Sequence, residues 1–234
     1  SLERIELTNL PDAEALEYSI EMGGISFYYT NLQDGIYPNM SGRSVQVPLH
    51  NLVYLGINPT KTWFGNPLFR HAISLAISRN DIVKNAYYGS AVAATGPYHA
   101  NFSDTAGIQT ISTDKNIEQA VADLAQLGYN NKDADGYLVH ENRRVAFTIT
   151  CNADSPARLA AANSIASALK EVGIEVQVRS LDWNAYLTAL QSGNYEVYIA
   201  EMKIPNNFDL FPMMNNPAQP ALRTVAPAYP GFLV

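Results

Sequence analysis

Residues 144–203 hold three stretches with strand periodicity separated by two with helix periodicity, and this order leaves few folds open to the chain. Residues 145–151 (VAFTITC) are β-branched and apolar, 174–178 (IEVQV) alternate with period two, and 195–200 (YEVYIA) do much the same. Between the first two, residues 156–172 place Leu159, Ala162, Ile165, Ala166, Leu169 and Val172 on one helical face, with Asp154 or Ser155 as N-cap and Gly173 just past the end. Between the second and third, a shorter helix over 181–190 has Asp182 as N-cap and Gly193 beyond it. A βαβαβ unit is expected. Its crossovers are right-handed and its strands parallel, so the loops after Cys151, Ser180 and Ala200 should open on one edge of the sheet, where open α/β sheets bind ligands.

The segments before this unit read less regularly. Residues 4–7 alternate like a strand, 11–20 can form a short helix, and Gly23-Gly24 breaks it before a second strand at 25–29, a small βαβ beginning. A polar loop over 31–42 precedes strand character at 45–47 and 52–57. Residues 66–89 read as a helix pair: Asn66 caps, Pro67 sits in the first turn, Phe69, Ala72, Ile73, Ala76 and Ile77 form the buried stripe, and Asn80 or Asp81 restarts a second helix. A long connection over 91–113 leads to a helix over 114–127 with Ile117, Val121, Leu124 and Leu127 on one side. Six of the thirteen prolines lie from Pro205 onward, which divides the chain into an α/β lobe over 1–204 and an extended, Pro-rich tail over 205–234.

Composition excludes several functions. The formal charge of -7 and the absence of any long Lys/Arg cluster make nucleic acid and anionic membrane poor partners. The lone Cys151 excludes an intrachain disulfide, and no apolar run is long enough for a transmembrane helix. The chain starts Ser1-Leu2 without a Met, as a processed or partial chain would. Motifs for a P-loop, a dinucleotide fold, a nucleophile elbow or a zinc protease are missing, and His50, His71, His99 and His140 are scattered. No cofactor, metal or catalytic residue is assigned. Asn131, Asp133, Asp135, Gly136 and Leu138 fall on EF-hand positions, but Asn142 stands where a bidentate Glu is required, so a structural turn is preferred over a calcium site.

The order LVYLGIN, WFGNPLFRHAISLAISRNDIVKNAYYG, IEQAVADLAQLGYNNKDADGYL, RVAFTIT, ARLAAANSIASALKEVGIEVQV and YEVYIAEMKIPNNFDL resembles the extracytoplasmic solute-binding proteins of ABC transporters, peptide/nickel class. The resemblance implies one α/β lobe of a two-lobe periplasmic-binding-protein fold, the C-terminal one, with a mixed sheet. It implies a peptide or other small-molecule ligand enclosed between this lobe and a second lobe missing here, a membrane permease as partner, no chemistry, and a periplasmic or cell-surface lipoprotein location. A small α/β hydrolase or transferase with its site at the same sheet edge is the alternative.

The resemblance also implies where ligand contacts fall. Dipeptide-binding members carry an Arg and a Tyr after the strand matching VAFTIT, where this chain has Asn152 and Asp154. Peptide-binding members follow the last strand with a Trp and, three residues on, an Asp that pairs with the ligand's amino group; here Met202 and Pro205 stand there, flanked by Glu201 and Lys203. Trp183 can stack on a ligand, although covering the core is the preferred role. The candidate ligand-binding residues are therefore Asn152, Asp154, Trp183, Glu201 and Lys203. A ligand ammonium removed from water needs a paired carboxylate, and Pro205 supplies neither a charge nor an N–H, so amino-terminal anchoring of the dipeptide kind is not expected.

Overall fold

The computed structural model describes residues 3–29, 43, 45, 51–98 and 112–204. In chain order the elements are α1 (Ala13–Glu21), β1 (Asn51–Ile57), α2 (Pro67–Ala76), α3 (Arg79–Ala86), α4 (Ile117–Gln126), β2 (Asn131–Lys132), β3 (Leu138–His140), β4 (Arg143–Arg144), β5 (Ala146–Asn152), α5 (Pro156–Glu171), β6 (Glu175–Leu181), α6 (Trp183–Gln191) and β7 (Val197–Lys203).

The βαβαβ unit forms as the periodicity predicts. β5 pairs in parallel with both β6 and β7, and β1 joins β7 antiparallel to complete a four-stranded mixed sheet of order β1-β7-β5-β6. Local signals hold each helix in register with its strands. Ser155 caps α5 by accepting from the Arg158 N–H, Asp182 caps α6 by accepting from the Ala185 N–H, and Gly173 and Gly193 adopt the left-handed conformation that ends each helix. Asn66 caps α2, with Pro67 in its first turn.

The two faces of the sheet carry different cores. On one, Leu55, Ile57, Phe147, Ile149, Cys151, Val197 and Ile199 pack against Phe69, Ile73, Ile165 and Leu169 of α2 and α5. On the other, Leu52, Tyr54, Tyr198 and Tyr195 meet Tyr186 and Leu190 of α6, and the Tyr186 hydroxyl donates to the Ile199 carbonyl at 2.9 Å. Tyr198 lies opposite Gly56 in the β1–β7 ladder, and a Cβ at Gly56 would sit inside the ring. Glycine is needed there because the aromatic ring fills the space a side chain would take.

Several expectations are corrected. Residues 4–7 and 25–29 form no strand, because nothing among the described residues offers them a ladder, and only the helix between them survives. Val45 is not in a strand, and residues 46 and 47 lie outside the described residues, as do the loop over 31–42 and the tail over 205–234. α3 starts at Arg79 with Ser78 as its cap, earlier than Asn80 or Asp81. Arg79 is buried and donates to Ser74 and to the Ser112 carbonyl, which fixes the α2–α3 turn against the chain leading into α4. Val121 is exposed, since α4 meets α2 through Ala120, Leu124 and a buried Asp123 whose carboxylate pairs with His71 at 2.7 Å. Leu181 ends β6 and does not open α6. A second sheet of order β2-β3-β4, not anticipated, folds the 131–144 segment into antiparallel ribbons.

The Gly56–Tyr198 contact yields a stability prediction. Gly56→Ala should destabilise the lobe by about 2 kcal/mol, the usual cost of overpacking, and lower Tm by roughly 4–8 °C. Adding Tyr198→Leu should recover part of that loss in thermal unfolding, since the clash is with the ring.

Candidate functional site

The carboxyl ends of β5, β6 and β7 open at one edge, and α5 and α6 both begin there. The loops are tied to each other as well as to their strands: the Ala153 N–H donates to the Leu181 carbonyl at 2.7 Å, carrying the β5–β6 ladder into the loop. All five candidate residues fall at this edge, on two faces of the sheet. Phe147, Ile149 and Cys151 point into the α2/α5 core, so Asn152 points to the α6 side; Val197 and Ile199 share the α2/α5 core, so Glu201 and Lys203 follow them.

Each candidate has a distinct setting. Asn152 is buried, and its Oδ1 accepts from the Asp154 N–H at 3.2 Å, which shapes the turn into α5. Asp154 is exposed and Ser155 caps the helix in its place, so the capping role considered for Asp154 is not the one it has. Trp183 is 48% exposed and stacks with centroids 5.9 Å apart on Tyr186, a buried residue of the α6-side core, so one face of the indole covers that core and the other is open to solvent. Lys203 is exposed at the end of β7, opposite Asn51.

Glu201 is not held by solvent. Its Oε1 accepts from Asn51 Nδ2 at 2.5 Å, and Oε2 lies 4.0 Å from Arg158 Nη1, with side-chain exposures of 19% for Arg158 and 15% for Glu201. Beside them the Tyr87 hydroxyl is buried. Burial pushes that phenol up; Arg158 opposes the shift, and Glu201 and Cys151 add to it. Arg158, Asn51 and Tyr87 are the residues that sequence reasoning passed over. A signal for Arg158 was available: a cation in the first turn of a helix opposes the helix dipole, and it is tolerated where a carboxylate compensates it.

The edge holds no activated nucleophile among the described residues. Burial pushes the Cys151 thiol up to about 11 against a smaller pull from Arg158, so it stays protonated at neutral pH. His71 is oriented by Asp123, but the further hydrogen bond in that pair comes from Gln119 to Asp123. His50 and His99 lie outside the described residues. Two concavities, of about 330 and 270 Å³, lie away from the edge: one between α3 and α5 beside Lys115 and Glu171, the other around Thr148, Thr150, Arg179 and Glu196. At the carboxyl edge, among the described residues, Asp154, Trp183 and Lys203 are exposed. The turn considered for calcium is built by Asp133, which accepts from the Asp135 and Tyr137 N–H groups, and by Arg144, which pairs with Asp133 at 2.7 Å and with Asp135 at 2.5 Å. The carboxylates a cation would need are spent on that guanidinium.

Comparison with known proteins gives a consistent result. The profile of bacterial extracellular solute-binding proteins, family 5 Middle, matches residues 1–220. The oligopeptide-binding protein AppA of Bacillus subtilis is 23% identical over 218 residues, covering 90% of this chain and 40% of that protein. Its structure with a bound nonapeptide superposes with a TM-score of 0.73 at 22% identity, over 93% of this chain and 44% of that one. NikA of Brucella suis, in complex with Fe(III)-EDTA, gives 0.67 at 17% identity over 78% and 36%. The chain thus spans less than half the length of these relatives.

Two measurements check this description of the edge and its neighbour. Glu201→Ala removes the partner of a mostly buried cation and should cost about 2 kcal/mol, whereas Arg158→Met with Glu201→Leu should restore most of it in chemical denaturation. For Asp133, burial would raise the carboxyl, but the Tyr137 N–H, Arg144 and the Asp135 N–H outweigh it and hold it below its ordinary 3.8. A depressed carboxyl stabilises the fold fully above the unfolded value and loses that contribution as pH falls through the folded one. The Tyr137 amide resonance should therefore move on acidification with a midpoint below 3.8.

Proposed function

Because this chain belongs to the bacterial extracellular solute-binding proteins of family 5, we propose that it is one lobe of the substrate-binding component of an ABC importer. It binds an oligopeptide or related small solute at the carboxyl edge of its sheet and, closed against a second lobe, presents it to a membrane permease. The parent protein works outside the cytoplasm, in the periplasm or as a cell-surface lipoprotein. It acts by binding and release.

The observation that carries this reading is the division of labour at the edge. Asp154, Trp183 and Lys203 stand exposed where two crossover helices begin, while Asn152 and Glu201 are drawn into the framework behind them. An exposed aromatic face beside unburied charges suits a cleft completed by a second lobe, which supplies the remaining enclosure a small ligand needs. The engagement of Glu201 by Asn51 and Arg158 supports a further point: this carboxylate is already compensated and does not anchor a ligand ammonium. Recognition from this lobe then rests on neutral polar contacts and the Trp183 face, with Lys203 receiving an anionic group. That suits a carboxylated solute, or a peptide whose amino terminus is held elsewhere.

Calorimetry with free and N-acetylated peptides tests the reading. This 234-residue chain alone should bind more weakly than micromolar, having one wall of the cleft. In a chain of family length, free and acetylated peptides should bind alike, and Trp183→Ala or Lys203→Ala should each weaken binding about tenfold, or 1.4 kcal/mol. A strong preference for the free amine that vanishes in Glu201→Gln would move the anchor to Glu201, and tight binding indifferent to both edge variants would put the site elsewhere.

A further inference from the structure

We propose that Tyr88 is a specificity-determining residue of the solute cleft, where its ring receives an apolar side chain of a peptide ligand. This rests on the importer reading above and deepens it by naming a contact and the kind of ligand group it takes.

Tyr88 adopts a backbone conformation that its residue type disfavours. α3 ends at Ala86, and Tyr88 and Gly89 then both turn left-handed, with φ of 50° and 78°, so that the Gly89 N–H reaches back to the Val83 carbonyl at 2.9 Å. Glycine occupies that region freely, whereas any other L-residue brings its Cβ against the following carbonyl. Asn or Asp would also make the turn at less cost, yet a bulky aromatic stands there. Burial of the ring does not offset the strain, since Tyr88 is 66% exposed. Backbone strain of this kind gathers at ligand-binding sites, where the side chain serves something other than the fold.

The course of the chain puts Tyr88 at the edge where solute binding is proposed. Its neighbour Tyr87 packs on the α2/α5 core, and the buried Tyr87 hydroxyl feels the charges of Arg158 and Glu201. By Ala94 the chain packs on the α6-side core, together with Leu181 and Met202 from the carboxyl ends of β6 and β7. Residues 88–93 therefore pass over the carboxyl edge from one face of the sheet to the other. Trp183 opens α6 at the same edge, so an exposed aromatic ring stands on either side of it.

The composition of this crossing says which ligand group suits it. Residues 88–98 (YGSAVAATGPY) carry no charge, and Val92 is exposed beside Tyr88. The charged residues of the edge lie elsewhere: Glu201 faces Arg158 and Asn51, and Asp154 and Lys203 belong to the β5 and β7 ends. A ring with only two side-chain torsions buries a large apolar area at low entropic cost, which fits an apolar or aromatic side chain better than a charged one.

Calorimetry and thermal unfolding of the family-length protein test this, with two peptides of equal length that differ only in carrying phenylalanine or alanine side chains. Tyr88→Gly should weaken binding of the phenylalanine peptide about tenfold and leave that of the alanine peptide unchanged. The same variant should raise Tm by roughly 2–4 °C, because the turn loses its strain. Tyr88→Asn, which tolerates the turn without a ring, should repeat the affinity result, and Tyr88→Phe should keep both affinity and Tm. A fall in Tm in both Tyr88→Gly and Tyr88→Asn would make the ring a structural one and overturn the proposal. Equal losses for the two peptides overturn it in favour of a contact between Tyr88 and the second lobe. If Trp183→Ala weakens the phenylalanine peptide and Tyr88→Gly does not, only this inference fails. If neither peptide binds the unmodified protein at millimolar concentration, the peptide reading fails and takes this inference with it.

Discussion

The pairing of β7 with β1 over seven residues, marked where Tyr198 lies over Gly56, fixes the face on which every side chain of the last strand appears. Side-chain direction along a strand has period two, so a slip of one residue would exchange the two faces completely. In the observed register Val197 and Ile199 enter the α2/α5 core, Tyr198 meets the tyrosines of the α6 side, and Glu201 is carried toward Asn51 and Arg158. The edge on which solute binding is proposed inherits its geometry from that register. β5 contributes less to it, since its recorded partners on β7 are Ile149 with Val197 and Thr150 with Tyr198.

Charge at the edge is sorted by burial. Glu201 and Arg158 are mostly buried and face each other, and Asn51 donates to the same carboxylate. Asp154 and Lys203 remain in water and keep their hydration until a ligand or a second lobe displaces it. The same logic operates at the 131–144 ribbon, where Arg144 gathers Asp133, Asp135 and Glu175 and so joins the small sheet to β6. A loop rich in Asp and Gly resembles a cation site in sequence for the same reason that it forms a tight turn: short carboxylates accept backbone N–H groups.

Most of the lobe was legible because its information is local. Strand and helix periods alternate across residues 144–203, and Ser155, Asp182, Gly173 and Gly193 punctuate them, so the parallel unit could be read without any long-range contact. The antiparallel attachment of β1 could not, since nothing in residues 51–57 announces a partner at 197–203. The candidate residues were correctly brought to one edge, but their division between two faces needed the starting parity of each strand, and a one-residue uncertainty in a boundary is enough to lose it. Trp183 packs one face of its indole on Tyr186 of the core and leaves the other in water, a split that residue type alone does not announce. At residues 4–7 and 25–29 the strand period was genuine and its ladder absent, so local preference had no tertiary structure to complete it.

The position of β1 has a consequence for biogenesis. Its partner is the last strand among the described residues, so during synthesis the chain makes residues 51–57 long before residues 197–203 exist. At ribosomal speed that interval is roughly ten to thirty seconds. For that time Leu52, Tyr54, Leu55 and Ile57 have no native shelter on the strand's β7 side, and of the elements that pack with them only α2 and α3 are made early. The nascent chain therefore carries an apolar, unpaired strand until translation delivers β7.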